Sequence, residues 1–183
     1  YFQGSRLTAW ELNRAEANTY LICDIQVADI LKKCRIDIIL VGSDRITCRG
    51  DIANKLGTYQ MAVLAKHFNI PFYAFVQPPG DTKTIKDIKI EYRPNEEMLT
   101  FEKMRLAPKN QDAIYPSFDI VPGELITGLI FIDGVYTPQE FAKKTNLLYR
   151  FTVYTPQEDM KQIILEDKET RLNTLRHIFG IDK

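Results

Sequence analysis

The densest set of residues able to do chemistry lies between Gly42 and Lys55, where Asp44, Arg45 and Asp51 precede Asn54 and Lys55. Asp44 follows an apolar run that reads as a buried strand. A carboxylate at such a strand end is partly desolvated, so its pKa rises and it can act as general acid or base. The plainer alternative for Asp44 is an ion pair with Arg45 or a cap for the following loop. Asn54 and Lys55 read as a helix start, where backbone N–H groups, the helix dipole and an ammonium can together hold a phosphate. No G-x-G-x-x-G follows the first strand and there is no P-loop, which argues against a dinucleotide site. His67 and His177 have no carboxylate or Cys at ligand spacing, so both read as structural and no metal is expected. Cys23, Cys34 and Cys48 lack the C-x-x-C spacing. They read as small core residues or exposed bystanders, Cys48 being the most interesting because it lies in the loop after Asp44.

The elements that must position these groups follow from hydrophobic pattern. Residues Arg6 to Ala17 read as a helix with Leu7, Trp10 and Leu12 on its apolar side. The runs 20–24, 37–42 and 71–76 read as buried parallel strands. Helices are expected at 26–34, with Val27, Ile30 and Leu31 on one face, and at 54–68, with Leu56, Met61, Leu64 and Phe68 inward. This βαβαβ rhythm predicts a Rossmann-like α/β domain, a parallel sheet with helices on both faces. Ligands of such sheets bind beyond the carboxyl ends of the strands, so Cys23-Asp24, Gly42 to Arg45 and Gln77-Pro78-Pro79 should converge there. Residues 78–112 read as an irregular excursion, and 124–130 as a helix with a small-residue face. The hexapeptide Val135 to Glu140 recurs as Val153 to Glu158. Both copies have the form of a helix start, with Thr as N-cap, Pro next and a Glu closing a capping box. After Pro156 an amphipathic tail follows, expected to dock on its own domain or on a partner.

Composition narrows the function classes. The 183 residues carry 24 Lys+Arg against 24 Asp+Glu, which argues against a general nucleic-acid or anionic-membrane binder. No apolar stretch is long enough to span a membrane and no signal peptide is evident, so a cytoplasmic protein with free thiols is expected. Tyr1-Phe2-Gln3-Gly4 matches the end of a protease-cleavable expression tag, and the chain starts without Met. It therefore reads as a piece of a longer protein.

Four segments carry a family resemblance. Gly42-Ser43-Asp44-Arg45-Ile46 with Gly50 to Gln60 resembles the signature of methylthioribose-1-phosphate isomerases, of the superfamily that includes the regulatory subunits of translation initiation factor 2B. Arg6 to Leu12, Glu91-Tyr92-Arg93-Pro94 and Phe118 to Thr127 resemble three further motifs, in the family's order over about residues 3–144. Family members carry a Gln-Gly before the motif at Arg6, so Gln3 can equally be native and would then bind substrate phosphate. The resemblance implies an aldose–ketose isomerisation of a 1-phosphorylated 5-methylthioribose in methionine salvage, without metal or organic cofactor. It implies that Asp44 is the catalytic acid/base, that Gln3, Asn54 and Lys55 bind substrate, and that the chain dimerises. The family's catalytic Cys would lie upstream of this chain, leaving the isolated domain inactive. The expected organisation is thus 1–5 as tag remnant or native segment, 6–144 as the C-terminal catalytic half, and 145–183 as a helical tail. Thr47-Cys48-Arg49, Cys23 to Gln26, Tyr115 and Val76 to Pro79 depart from the family pattern. Two alternatives stand beside the isomerase: a non-catalytic factor 2B-like regulatory or interaction subunit, and a ribose-1,5-bisphosphate isomerase.

Overall fold

A computed structural model describes residues 3–148. Its main sheet has the order β1 (Ile39–Val41), β4 (Phe72–Phe75), β8 (Gly128–Phe131), β9 (Gly134–Tyr136). The first three strands are parallel and β9 returns antiparallel through a tight hairpin. Parallel strands need cover, and the run around β4 supplies apolar residues for it: Phe72 and Ala74 are buried, as are Leu129 and Ile130 of β8. Helix α3 (Thr58–Phe68) contributes Ala62 and Ala65 to that core, and helix α5 (Pro138–Leu148) contributes Phe141, edge-on to Phe131. Helix α2 (Val27–Lys33) packs on α3 and buries Leu31, on the face read from the sequence.

A second, antiparallel sheet joins β2 (Arg45–Ile46), β3 (Ile52–Lys55) and β7 (Phe118–Val121). Between β2 and β3 lies a tight loop. Thr47 is wholly buried and its hydroxyl bonds to Asp51 and accepts the N–H groups of Arg49 and Asp51. The other Asp51 oxygen accepts the Gly123 N–H, Cys48 donates its N–H to Thr82 carbonyl, and Thr145 donates to the Cys48 carbonyl. One short loop is thereby tied to three distant segments. The excursion after β4 holds small pieces, a 3₁₀ turn (Ile85–Asp87), α4 (Glu96–Leu99) and the hairpin of β5 (Thr100–Phe101) with β6 (Met104–Arg105).

Four expectations are corrected. Residues 20–24 form no strand: Tyr20 is 87% exposed, Leu21 and Ile22 are exposed, and Asp24–Gln26 is a 3₁₀ turn. An apolar run becomes a strand only by laddering to a neighbour, and β1 has a neighbour on one side only among the described residues. The N-terminal helical run, a π turn Gly4–Thr8 leading into α1 (Ala9–Arg14), leaves Leu7 and Trp10 exposed, with the Arg14 guanidinium over the indole. Asn54 and Lys55 end a strand rather than begin a helix; Gly57, at φ 103, turns the chain into α3, and Leu56 faces outward. Residues 124–130 form a 3₁₀ turn and then β8, not a helix. An unbroken apolar run fits either, and the ladder to β4 decides it; a Cβ on Gly128 would come within 2.6 Å of the Tyr73 ring.

The first copy of the repeat does start a helix. Glu140 accepts the N–H and hydroxyl of Thr137, and Thr137 accepts the Glu140 N–H. The second copy, the amphipathic tail and His177 lie outside the described residues, as does the 145–183 segment beyond the end of α5.

Candidate active site

The carboxyl ends of β1 and β4 open into a cleft of about 330 Å³ lined by Ser43 to Ile46 and by Gln77 to Thr82. Two of the three segments expected to meet there do so. Cys23-Asp24 does not, because the segment that was to carry it is not in the sheet. The Ser43 hydroxyl donates to the Phe75 carbonyl at 2.8 Å, fastening the end of β1 to the end of β4. A second depression of about 320 Å³, with Lys66, Asn69 and Thr127, lies where α3 meets the turn before β8. It collects no comparable set of reactive groups, so chemistry places the candidate site at the first.

Asp44 stands in the cleft just before β2. Its N–H donates to the Ala53 carbonyl at 2.9 Å, and the pairing of Arg45 with Ala53 sets Asp44 across from Asn54 by one further step of the same register. The antiparallel hairpin, not a helix terminus, thus assembles Asp44, Asn54 and Lys55. Burial pushes the Asp44 carboxyl above its ordinary range, and the positive charge of Lys55 pulls part of that back. Among the described residues no ion pair joins Asp44 to Arg45 and its carboxylate accepts no hydrogen bond from the following loop, so neither the pairing nor the capping alternative accounts for it. A carboxyl raised by burial exchanges its proton at a higher pH than a free carboxylate does.

The α3 N-terminus is not open to a phosphate. Asp119 of β7 fills it, accepting the Gly57 N–H at 2.8 Å and the Tyr59 N–H at 3.2 Å. Asp119 lies in the Phe118 to Thr127 motif, whose resemblance gives this residue no role of its own. Its only sequence signal was a carboxylate on a strand distant from the helix it caps. Asn54 is also partly engaged: its amide donates to Thr58 Oγ1 at 3.0 Å, and Thr58 donates to the Lys55 carbonyl at 2.6 Å. The Lys55 ammonium lies 5.8 Å from the centre of the Phe118 ring. Gln3 is exposed at the head of the N-terminal helical run and does not line the cleft.

Asp51, counted among the reactive candidates, is structural, since both its oxygens hold the Thr47 loop and Gly123. Burial pushes the Cys48 thiol up, Lys83 opposing, which leaves it a protonated and poorly nucleophilic sulfur. Cys23 and Cys34 are exposed, and His67 stacks edge-on against Phe68. No cluster of His, Cys, Asp or Glu able to hold a metal occurs among the described residues. No helix among them is long and apolar enough to cross a membrane.

Ser117 offers a test of this region's packing. It is 5% exposed, and its hydroxyl finds no hydrogen-bond partner among the described residues. Ser117→Ala is therefore expected to leave stability unchanged or raise it by about 1 kcal/mol in urea unfolding, since a buried unmade hydrogen bond costs that much or more.

Parallel strands with a reactive cleft at their carboxyl ends define an α/β domain of the Rossmann kind. A sequence model of the initiation factor 2 subunit family (IF-2B) matches residues 1–138, and the chain belongs to that family. It is 43% identical over 148 residues to the methylthioribose-1-phosphate isomerase of Aquifex aeolicus (strain VF5), covering 78% of this chain and 32% of that protein. Against the isomerase of Sulfurihydrogenibium sp. (strain YO3AOP1) it is 44% identical, covering 74% and 41% respectively. The crystal structure of 5-methylthioribose 1-phosphate isomerase from Pyrococcus horikoshii OT3 superimposes with a TM-score of 0.74 at 40% identity, over 82% of this chain and 42% of that one. The translation initiation factor eIF-2B subunit delta from A. fulgidus gives 0.67 at 43% identity, over 74% and 40%. The chain thus spans well under half the length of these relatives.

Proposed function

We propose that this chain is the C-terminal part of an aldose–ketose isomerase that converts 5-methylthioribose 1-phosphate to 5-methylthioribulose 1-phosphate, in methionine salvage. The observation that carries the reading is Asp44, raised by burial and flanked by Lys55, in a cleft at the strand ends. The reaction is redox-neutral. One hydrogen leaves C2 and arrives on C1, while the O2 proton is lost and the ring oxygen gains one as the ring opens. A carboxyl that can both give and take a proton suits the oxygen exchange. Lys55, with the Arg45 guanidinium at the cleft, supplies positive charge for the phosphate. The second catalytic group is a thiol from the part of the protein preceding this chain, so the chain alone is inactive. Gln3 comes to the substrate only in that complete context, and the functional unit is a homodimer in the cytoplasm.

The test is turnover by the full-length protein. Methylthioribose 1-phosphate should yield the ketose by NMR, with ribose 1,5-bisphosphate turned over at least roughly a hundredfold less well. Preferential turnover of the bisphosphate would move the reading to the second isomerase. A folded protein inactive on both would leave the factor 2B-like interaction subunit, a role consistent with the A. fulgidus relative.

A further inference from the structure

We propose that Asp119, on the strand beside the site, is a positioning residue that holds Lys55 against Asp44; the proposal rests on the reading of the cleft given above. The hydrogen bonds that fix the turn after β3 converge on two side chains. Asp119 accepts both the Gly57 and Tyr59 N–H groups, 62 and 60 residues away in sequence, and so anchors the far side of the turn to β7. Thr58 closes the near side by donating to the Lys55 carbonyl while accepting from Asn54. Asp119 also pairs in register with Asn54, and Lys55 with Phe118, so the strand that supplies the anchor supplies the ring under the ammonium. Lys55 itself is exposed and makes no ion pair among the described residues. Its long, flexible stem therefore depends on the backbone beneath it for direction. If the Asp119 anchor is lost, Gly57 regains its freedom and the ammonium is no longer held over Phe118 and near Asp44.

Lys55 of β3 is the charged group that acts on Asp44, while Arg45 and Asp81 line the same cleft. Displacing Lys55 removes the contribution that lowers the Asp44 carboxyl, so that carboxyl should titrate at a higher pH. This readout does not depend on activity, and helix capping alone would not move it.

The experiment compares Asp119→Ala, Asp119→Asn, Lys55→Ala and the Asp119→Ala/Lys55→Ala double variant in the full-length protein. Asp119→Ala should lower kcat/KM for methylthioribose 1-phosphate by roughly 30-fold, chiefly through KM, as expected for lost binding geometry. Asn keeps an acceptor oxygen at the helix start, so Asp119→Asn should stay within roughly fivefold of wild type. In the Lys55→Ala background the Asp119→Ala change should cost less than about threefold, because the two act through one group. The Asp44 carboxyl, followed by carbon NMR, should titrate higher in both single alanine variants.

Independent, multiplying effects of the two alanine changes, or an Asp44 titration unmoved by Asp119→Ala in a folded protein, would overturn the proposal. If Asp119→Ala unfolds the protein, Asp119→Glu decides, because it keeps the charge but moves the acceptor by one methylene: an Asp44 titration raised toward that of Lys55→Ala supports the positioning role, and one like wild type together with wild-type kcat/KM overturns it. Should Lys55→Ala leave kcat/KM untouched while Asp119→Ala still shifts Asp44, the substrate-binding reading of Lys55 fails and the positioning of Lys55 by Asp119 stands.

Discussion

Asp44→Asn in the full-length protein is expected to cut turnover by roughly 10²–10⁴-fold without lowering the melting temperature. The amide keeps the size and the backbone bond to Ala53 but cannot give and take a proton. The stability half follows from the direction of the pKa shift. Burial raises the folded-state value above the usual 3.8, so the contribution of Asp44 to stability is fully present below that pH. It is lost as pH rises through the folded pKa, and at neutral pH the ionised carboxylate is a small burden on the fold. The Asn variant should therefore melt at or slightly above the wild-type temperature near pH 7, and the difference should vanish in acid. Wild-type turnover in this variant would remove Asp44 from the mechanism. A melting temperature lower by several degrees would mean that the carboxylate is a structural anchor after all.

Gly50→Ala is expected to destabilise the chain by roughly 2–5 kcal/mol, read as a lower urea midpoint at unchanged slope. Two independent costs add. Gly50 has φ 88, where an L side chain is strained, and its missing Cβ would lie 2.8 Å from the Pro138 Cβ and 2.9 Å from its Cα. Pro138 cannot retreat easily, because the capping box of Thr137 and Glu140 fixes the start of α5 and Phe141 is seated in the core. The change also strains the loop whose Thr47 and Asp51 brace the hairpin that carries Asp44 and Lys55. A midpoint equal to wild type would show that α5 slides away at no cost and that the loop is not braced by it.

The parts of the fold that could be read from the sequence were those set by local pattern. The runs 37–42 and 71–76 became adjacent parallel strands, and Thr137 with Glu140 formed the capping box its spacing implied. Runs at 20–24 and 124–130 obey the same local rule and went astray, since pairing with a distant neighbour decides between strand, helix and exposed coil. Of the site residues expected from the sequence, Asp44, Asn54 and Lys55 are brought near one another by an antiparallel hairpin paired with residues 118–121 rather than by a helix terminus, and Gln3 lies away from the cleft. Nothing local to Asn54 announces that pairing. Asp119 escaped for the same reason: an N-cap normally precedes its helix by a residue, and this one reaches it from another strand.

The filled terminus of α3 has one more consequence. A helix that must wait for a ligand's phosphate to satisfy its first N–H groups is ordered by binding, and part of the binding free energy goes into that ordering. Here the chain carries its own anion, and Gly57 and Tyr59 are satisfied before any substrate arrives. The scaffold under Lys55 is thus preorganised. Whatever binds beside Lys55 meets a helix start that is already ordered, so its affinity is undiminished by a folding step.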